Sequence, residues 1–241
     1  MTVGFYSAKA GTISMQRAVD ITSNNVANVN THGFKTHRAS FSDLIYTTKL
    51  RNDQVETGHG VKIDKTDLMF DIGRLESTAN ELDFAIPSEE LFAVEDASSG
   101  QIYYTKNGAF RLSNNGDGTW GLVDPKGNYV LDYDMNPITA VFDENGNLDS
   151  AATMELIGTF KFPNPYGLDN EGDNYFIANG SSGEPEADRG QEKLQYYLEG
   201  SSVNLATEMV NLIKYQRGFS FNAKLVQTAD DIEQRVNSLR R

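Results

Sequence analysis

Three kinds of side chain in this 241-residue sequence offer candidate chemistry, and each has a plainer alternative. His32 and His37 lie five apart across a Gly turn, a spacing at which two imidazoles can share a metal. Asp43 is the one carboxylate nearby in the chain, however, and metal ligands usually come in tighter sets, so solvated or capping histidines are the plainer reading. His59, between Gly58 and Gly60, has no partner pattern. Asp132, Asp134 and Asn136 place oxygens at positions one, three and five of a calcium-type loop, with Asp143 at position twelve. Pro137 stands where such a loop needs Gly, and the last ligand would be Asp rather than Glu. That tract and Asp143–Asn147 are more simply hairpin turns. Glu89 with Glu90 and Asp230 with Asp231 are sequence neighbours, which do not share a face, so neither is an acid/base pair. No nucleophile elbow, phosphate-cradling Gly loop or HExxH helix is present. The absence of cysteine removes disulfides, thiolate metal sites and a Cys nucleophile together. The expectation is no catalytic residue, no cofactor and no metal.

The concentration of asparagine is harder to explain away. Asn24, Asn25, Asn28 and Asn30 crowd one stretch beside Ser23 and Thr31. Asn competes for the backbone and is a poor helix resident, so capping accounts for one or two. Four point to amides bonded to neighbours in a packed interface, against the alternative of a frayed, solvated terminus.

The elements that must position these groups follow from periodicity. Phe5, Ala8, Thr12, Met15, Val19, Thr22, Val26 and Val29 alternate spacings of three and four, the seam of a helix that packs along another helix. Turn formers from Asn28 to Gly33 stop it. Ala and Thr bury little area, so this helix needs a partner. Leu205, Met209, Leu212, Gln216, Phe219, Ala223 and Val226 supply a second seam, with Ser201, Ser202 and Asn204 as N-cap candidates and only Gly218 interrupting. Between the seams the period drops to two. Short β-rich runs at 91–95, 101–105, 109–112, 119–123, 128–131, 138–142 and 154–162 are separated by turns such as Asn107–Gly108, Asn114–Gly118, Pro125–Gly127 and Asn145–Asn147. The expected class is α+β: N- and C-terminal helices paired as a coiled coil, with a central antiparallel β-rich body. The expected segments are an N-terminal helix (1–35), a connecting segment of mixed extended and helical signals (36–80), the β-rich body (81–175), an irregular return segment (176–199) and a C-terminal helix (200–241).

Charge divides along the same lines. The chain carries −13 overall, yet residues 1–36 carry +2, residues 191–241 carry +1 and residues 37–190 carry −16. An acidic chain argues against nucleic acid as a partner. No run approaches the roughly 20 apolar residues of a membrane span. Met1–Gly11 lacks the basic start and apolar run of a cleaved secretory signal, so export would need another route.

The stretch Ser23–Asn24–Asn25–Val26–Ala27–Asn28–Val29–Asn30–Thr31–His32–Gly33–Phe34–Lys35 closely resembles the N-terminal signature of the bacterial flagellar rod and hook protein family, and Phe41, Asp43 and Leu44 continue it. Leu198–Asn204, Glu208–Met209, Leu212–Ile213, Gln216–Arg217, Asn222, Thr228 and Asp230 resemble its C-terminal half. Glu81–Ile86, Tyr104–Phe110 and Asn164–Leu168 resemble its β-body. Ser202 stands where the family usually has Asn, and Pro87–Phe92 lacks the family's Gly-rich turn. The chain is short beside hook proteins, so a rod protein fits better than a hook or hook–rod junction subunit.

The resemblance implies a structural subunit and not an enzyme. Such a subunit passes through the flagellar type III export apparatus without a cleaved signal. It assembles helically in the basal body with copies of itself and other rod and hook proteins, its terminal helices forming an inner layer around a central channel. Asn24, Asn25, Asn28, Asn30, Gly33 and Phe34 are then expected to order that packing, with Leu205, Met209, Leu212, Gln216 and Phe219 opposite. A calcium- or carbohydrate-binding β-module resting on the acidic hairpins is the alternative from another class.

Overall fold

The seam in the first thirty residues folds as one helix, and the turn formers after Ala27 end it where expected. The computed structural model describes residues 3–45, 47–48, 56–116, 118–144 and 146–239. Asp117 and Asn145, named above in two turns, lie outside these residues, as do Met1, Thr2 and part of the 36–80 segment. In chain order the elements are α1 (Val3–Ala27), β1 (His37–Asp43), β2 (Thr47–Thr48), β3 (Glu56–Thr57), β4 (Val61–Leu68), β5 (Leu75–Ser77), β6 (Phe84–Ala85), β7 (Leu91–Glu95), β8 (Ile102–Thr105), β9 (Arg111–Asn114), β10 (Trp120–Val123) and β11 (Tyr129–Val130). There follow α2 (Ser150–Leu156), β12 (Thr159–Lys161), a 3-10 turn (Pro165–Gly167), β13 (Asp169–Gly172), β14 (Tyr175–Ile177), β15 (Glu186–Ala187), β16 (Leu194–Gln195), β17 (Tyr197–Glu199) and α3 (Leu205–Leu239). They form two compact units: residues 1–27, 37–68 and 204–241, and residues 28–36 with 69–203.

The first unit is an antiparallel helix pair with a β-hairpin. Asn204 caps α3, its Oδ1 accepting from the Thr207 amide at 3.1 Å. The helices approach closely because glycine sits at two crossing points. The Asn222 amide lies where a Cβ on Gly11 would be, at 2.9 Å, and Met15 Sδ lies 3.0 Å from the Cβ position of Gly218. The face of α1 that is most deeply buried is therefore small and polar: Ala8, Gly11, Ser14, Ala18, Thr22 and Asn25. It shares only Ala8 and Thr22 with the expected apolar seam. β1 and β4 pair antiparallel from His37↔Leu68 to Asp43↔Val61, with a bulge at Ser40/Phe41. Ser14 Oγ donates to the Val61 carbonyl at 3.0 Å, and the Phe41 ring meets Tyr215 of α3 at 6.0 Å.

The second unit is the antiparallel β-body. Its main sheet runs β13-β14-β8-β7-β11-β10-β9, and β12 joins β7 to β15. β7 is central, and Leu91, Phe92, Ala93 and Val94 are almost wholly buried. Phe92 meets Phe110 edge-on at 5.2 Å, within a core that includes Phe84, Leu122, Val130, Ile138 and Ile157. Two expected runs depart from strand. Asp149 accepts from the Ala152 amide at 2.9 Å and starts α2, so the run at 154–162 becomes strand only at Thr159. Residues 138–142 form isolated bridges, such as Gly121↔Thr139. Within the body, β17 pairs with β5 and β16 with β6, which inserts the end of the return segment among strands from the start of the body.

Candidate assembly face and chain-return site

Of the four clustered asparagines, Asn25 does most. It is 1% exposed. Its Nδ2 donates to the His37 carbonyl at 2.7 Å, and its Oδ1 accepts from the His37 amide at 3.0 Å, so one side chain pairs with the backbone at the start of β1 as a strand neighbour would. The same Nδ2 lies 3.2 Å from Glu208 Oε2, which ties the end of α1 to the first turn of α3. Glu208 is the buried residue of α3, and the His37 imidazole is held below its ordinary pKa by burial.

The other three serve differently. Asn24 and Asn30 are exposed. Asn28 Oδ1 accepts from Thr31 Oγ1 at 3.1 Å in the turn that follows the helix. Gly33 and Phe34 belong to the second unit. Gly33 has φ +71°, and a Cβ there would lie 2.8 Å from the Asn107 amide nitrogen, so glycine is required. Phe34 is buried, and its carbonyl accepts from the Ser202 amide at 3.0 Å. Ser202 Oγ accepts from the Thr36 amide at 2.9 Å, so the serine at the family's Asn position still bridges the two segments.

On α3, Leu205 and Met209 are 44% and 55% exposed, Gln216 is exposed, and Leu212 and Phe219 are half-buried. Val210, Ile213, Phe221, Leu225, Ile232 and Val236 are exposed as well, as are Tyr6 and Ile13 on α1. A long apolar stripe is thus left open on the helix pair, larger than scattered surface leucines require.

A buried charge cluster in the second unit was not anticipated as a site. Lys35 Nζ lies 2.7 Å from Glu199 Oε1, and Lys106 Nζ forms an ion pair with Glu199 Oε2 at 3.2 Å; all three side chains are 1% exposed. Lys35 also donates to the Asp71 carbonyl at 2.8 Å, and Lys106 to the carbonyls of Ile86, at 2.9 Å, and Ser88. The Gly73 amide donates to Glu199 Oε1 at 2.8 Å, and the Gly33 amide to the Glu199 carbonyl at 2.7 Å. Burial pulls the Lys106 ammonium down to about 8, opposed by Glu199 and Glu90. Lys35 and Glu199 are 164 residues apart, so no local spacing could have joined them. The available signal was a lone charge inside each of two turn-rich motifs.

The acidic tracts are turns of one repeated design, a regularity that comparison with a calcium loop hides. In Asp124–Asn128, Asp132–Asn136 and Asp143–Asn147 the Asp Oδ1 accepts from the Asn amide four residues on, at 2.9, 2.8 and 2.8 Å. The fourth residue has positive φ in each: Gly127, Met135 and Gly146. The carboxylates thus cap their own hairpins. Among the described residues, no group of three or more His, Asp or Glu side chains is placed to hold a metal ion. Asp124 also anchors a phenol. Tyr175 Oη donates to its Oδ2 at 2.5 Å, and burial together with that bond pushes the phenol pKa up. No helix among the described residues is long and apolar enough to cross a membrane.

Neither the exposed stripe nor the ionic cluster holds a nucleophile, an acid/base pair in a cleft or a ligand set. The paired terminal helices and the antiparallel β-body are the architecture expected of a structural subunit. The comparisons agree. Residues 5–35 match the family model described as flagella basal body rod protein, and residues 194–239 match the flagellar basal body rod FlgEFG protein C-terminal model. The chain is 34% identical to the flagellar basal-body rod protein FlgG of Borreliella burgdorferi, with 100% of each covered. It is 30% identical to FlgG of Bacillus subtilis over 100% of both chains. It is also 31% identical to the flagellar basal-body rod protein FlgF of Mesorhizobium japonicum, over 99% of this chain and 98% of that one. The chain belongs to the flagellar basal-body rod protein family.

Proposed function

We propose that this chain is a structural subunit that polymerises helically into the rod of the flagellar basal body, a torque-transmitting shaft with a central export channel. The exposed apolar stripe of α3 carries the reading. Leu205, Met209, Ile213, Phe221 and Leu225 are 44–64% exposed, and α3 buries only Glu208. A 35-residue helix so thinly covered gains its packing from other helices. The occupants are copies of this chain and other rod and hook proteins. They repeat around a screw axis that need not close, so each contact is heterologous. In this arrangement residues 1–35 and 200–241 supply the inner layer and residues 81–175 the outer one. Asn24, Asn30, Leu205, Met209 and Gln216 are exposed, and Asn25, Asn28, Gly33, Phe34, Leu212 and Phe219 hold the presenting elements in place. The chain reaches its site through the type III export apparatus, without a cleaved signal, and works in the cell envelope without catalytic activity.

Met209→Asp and Leu212→Asp test the reading. Each is expected to yield a soluble monomer by sedimentation and non-motile cells when it is the sole copy. Motile, fully flagellated cells carrying both changes would refute it.

A further inference from the structure

The buried charges of the second unit have a consequence for the order in which it folds. Lys106 projects from the turn after β8 into the interior, at 1% exposure. Its own neighbourhood offers the carbonyls of Ile86 and Ser88 and the field of buried Glu90, and its ion-pair partner Glu199 lies on β17. Lys35, equally buried, takes the other oxygen of the same carboxylate. Glu199 is therefore shared by one cation from the segment after α1 and one from the body.

Around it, hydrogen bonds tie residues 33–36, 73–74 and 199–202 to one another. The Gly33 amide donates to the Glu199 carbonyl, Gly200 to Arg74, Ser202 to Phe34, Thr36 to Ser202 Oγ and Gly73 to Glu199 Oε1, all within 3.0 Å. Burying an ammonium without a counter-charge is strongly unfavourable, and removing one partner of a buried pair leaves that cost in place. The strands from β6 to β15 precede Glu199 in the chain, so they bury Lys106 ahead of the partner that Lys106 shares with Lys35.

We propose that the Lys35–Glu199–Lys106 cluster is a chain-return latch, which keeps the β-body from closing until the segment Leu198–Ser202 has docked against residues 33–36. The latch acts within one chain, whatever that chain assembles with. It makes the body an all-or-none unit whose completion requires residues from both ends of the sequence.

Trp120, the single tryptophan, lies on β10 and reports on the body alone. In the full-length chain, Glu199→Gln is expected to lower the folded-to-unfolded ratio read from Trp120 fluorescence in urea by ~100-fold or more. Replacing all three charges together, Lys35→Met, Lys106→Met and Glu199→Met, is expected to restore most of that loss. Pulsed hydrogen exchange during refolding then reads the order. In the natural sequence the β7–β8 amides should gain protection in the same phase as the amides of Gly33, Gly73 and Gly200. In the triple variant they should gain it earlier. Protection of β7–β8 before those three glycines in the natural sequence would overturn the latch, as would a Glu199→Gln chain as stable as the natural one. Should the triple variant not fold, the order in the natural sequence decides alone.

Discussion

The two units of this chain bury opposite things. The helix unit turns its smallest and most polar side chains inward, Gly11, Ser14, Ala18, Thr22 and Asn25, and leaves Met209, Ile213, Phe221 and Leu225 facing out. The β-body packs Phe84, Phe92, Phe110 and Phe160 at no more than 1% exposure and buries two lysines with their counter-charges. One unit is held by close backbone approach and specific hydrogen bonds, with its apolar surface in reserve. The other is held by transfer of large apolar groups from water. A subunit made to join neighbours needs both: a body that is finished in one chain, and helices that are not.

The contrast can be broken from either side. The largest effect is expected in the body, where Phe92→Ala removes a ring from the centre of β7 and should cost ~3–5 kcal/mol, read as a shift in the Trp120 urea transition. A cost below about 1 kcal/mol would mean that the core is not where its stability resides. In the helix unit, Asn25→Ala removes both bonds to the His37 backbone and strips Glu208 of its partner. It should cost ~2 kcal/mol in the helical signal at 222 nm; an unchanged melting curve would return Asn25 to the status of a surface amide.

Alkali sharpens the same comparison. Lys106 gives up its proton near pH 8 when folded and near 10.5 when unfolded, so the unfolded chain holds more protons in that window and the body grows more stable from about pH 8 to 10. Tyr104, pushed up to about 12 by burial, and Tyr175, also raised, keep their protons longer when folded, so above pH 10 they reverse the trend. The Trp120 urea midpoint should therefore peak near pH 10, and a midpoint that falls steadily from pH 8 would contradict the burial of Lys106. The smallest effect on stability belongs to Met209→Asp, within ~0.5 kcal/mol, although the same change is expected to stop assembly. A large loss of helix in the monomer would show that the stripe is already covered within one chain.

Much of this was legible in the sequence because its causes are local. The seam from Phe5 to Val26 gave α1 and the run from Leu205 gave α3, since helical periodicity is written residue by residue. β7 at 91–95 was legible because four apolar or small residues, Leu91 to Val94, stood between turn signals. The hairpin of β1 and β4 was not, since Ser, Thr, Lys and Asp dominate it and its strands take their order from pairing and from α1. The inward face of α1 was misjudged for a related reason. Apolarity predicts burial only until two backbones come close enough that glycine and serine are what fits. Among the site residues, Asn25 could be picked out by its type in the wrong place, whereas Glu199 could not, because its partners lie in segments that only the folded body brings together.

The two glycine sockets give the helix pair a built-in ruler. From Asn25 opposite Glu208, ten residues back along α1 lead to Met15, and ten forward along α3 lead to Gly218, its socket; four more lead to Gly11 and Asn222. Three checkpoints fall on one antiparallel alignment. A slip of one turn, about 5.4 Å, would set Met15 against Lys214 or Asn222 instead of Gly218. The pair proofreads its own alignment, and each subunit would hand its neighbour a stripe of fixed phase.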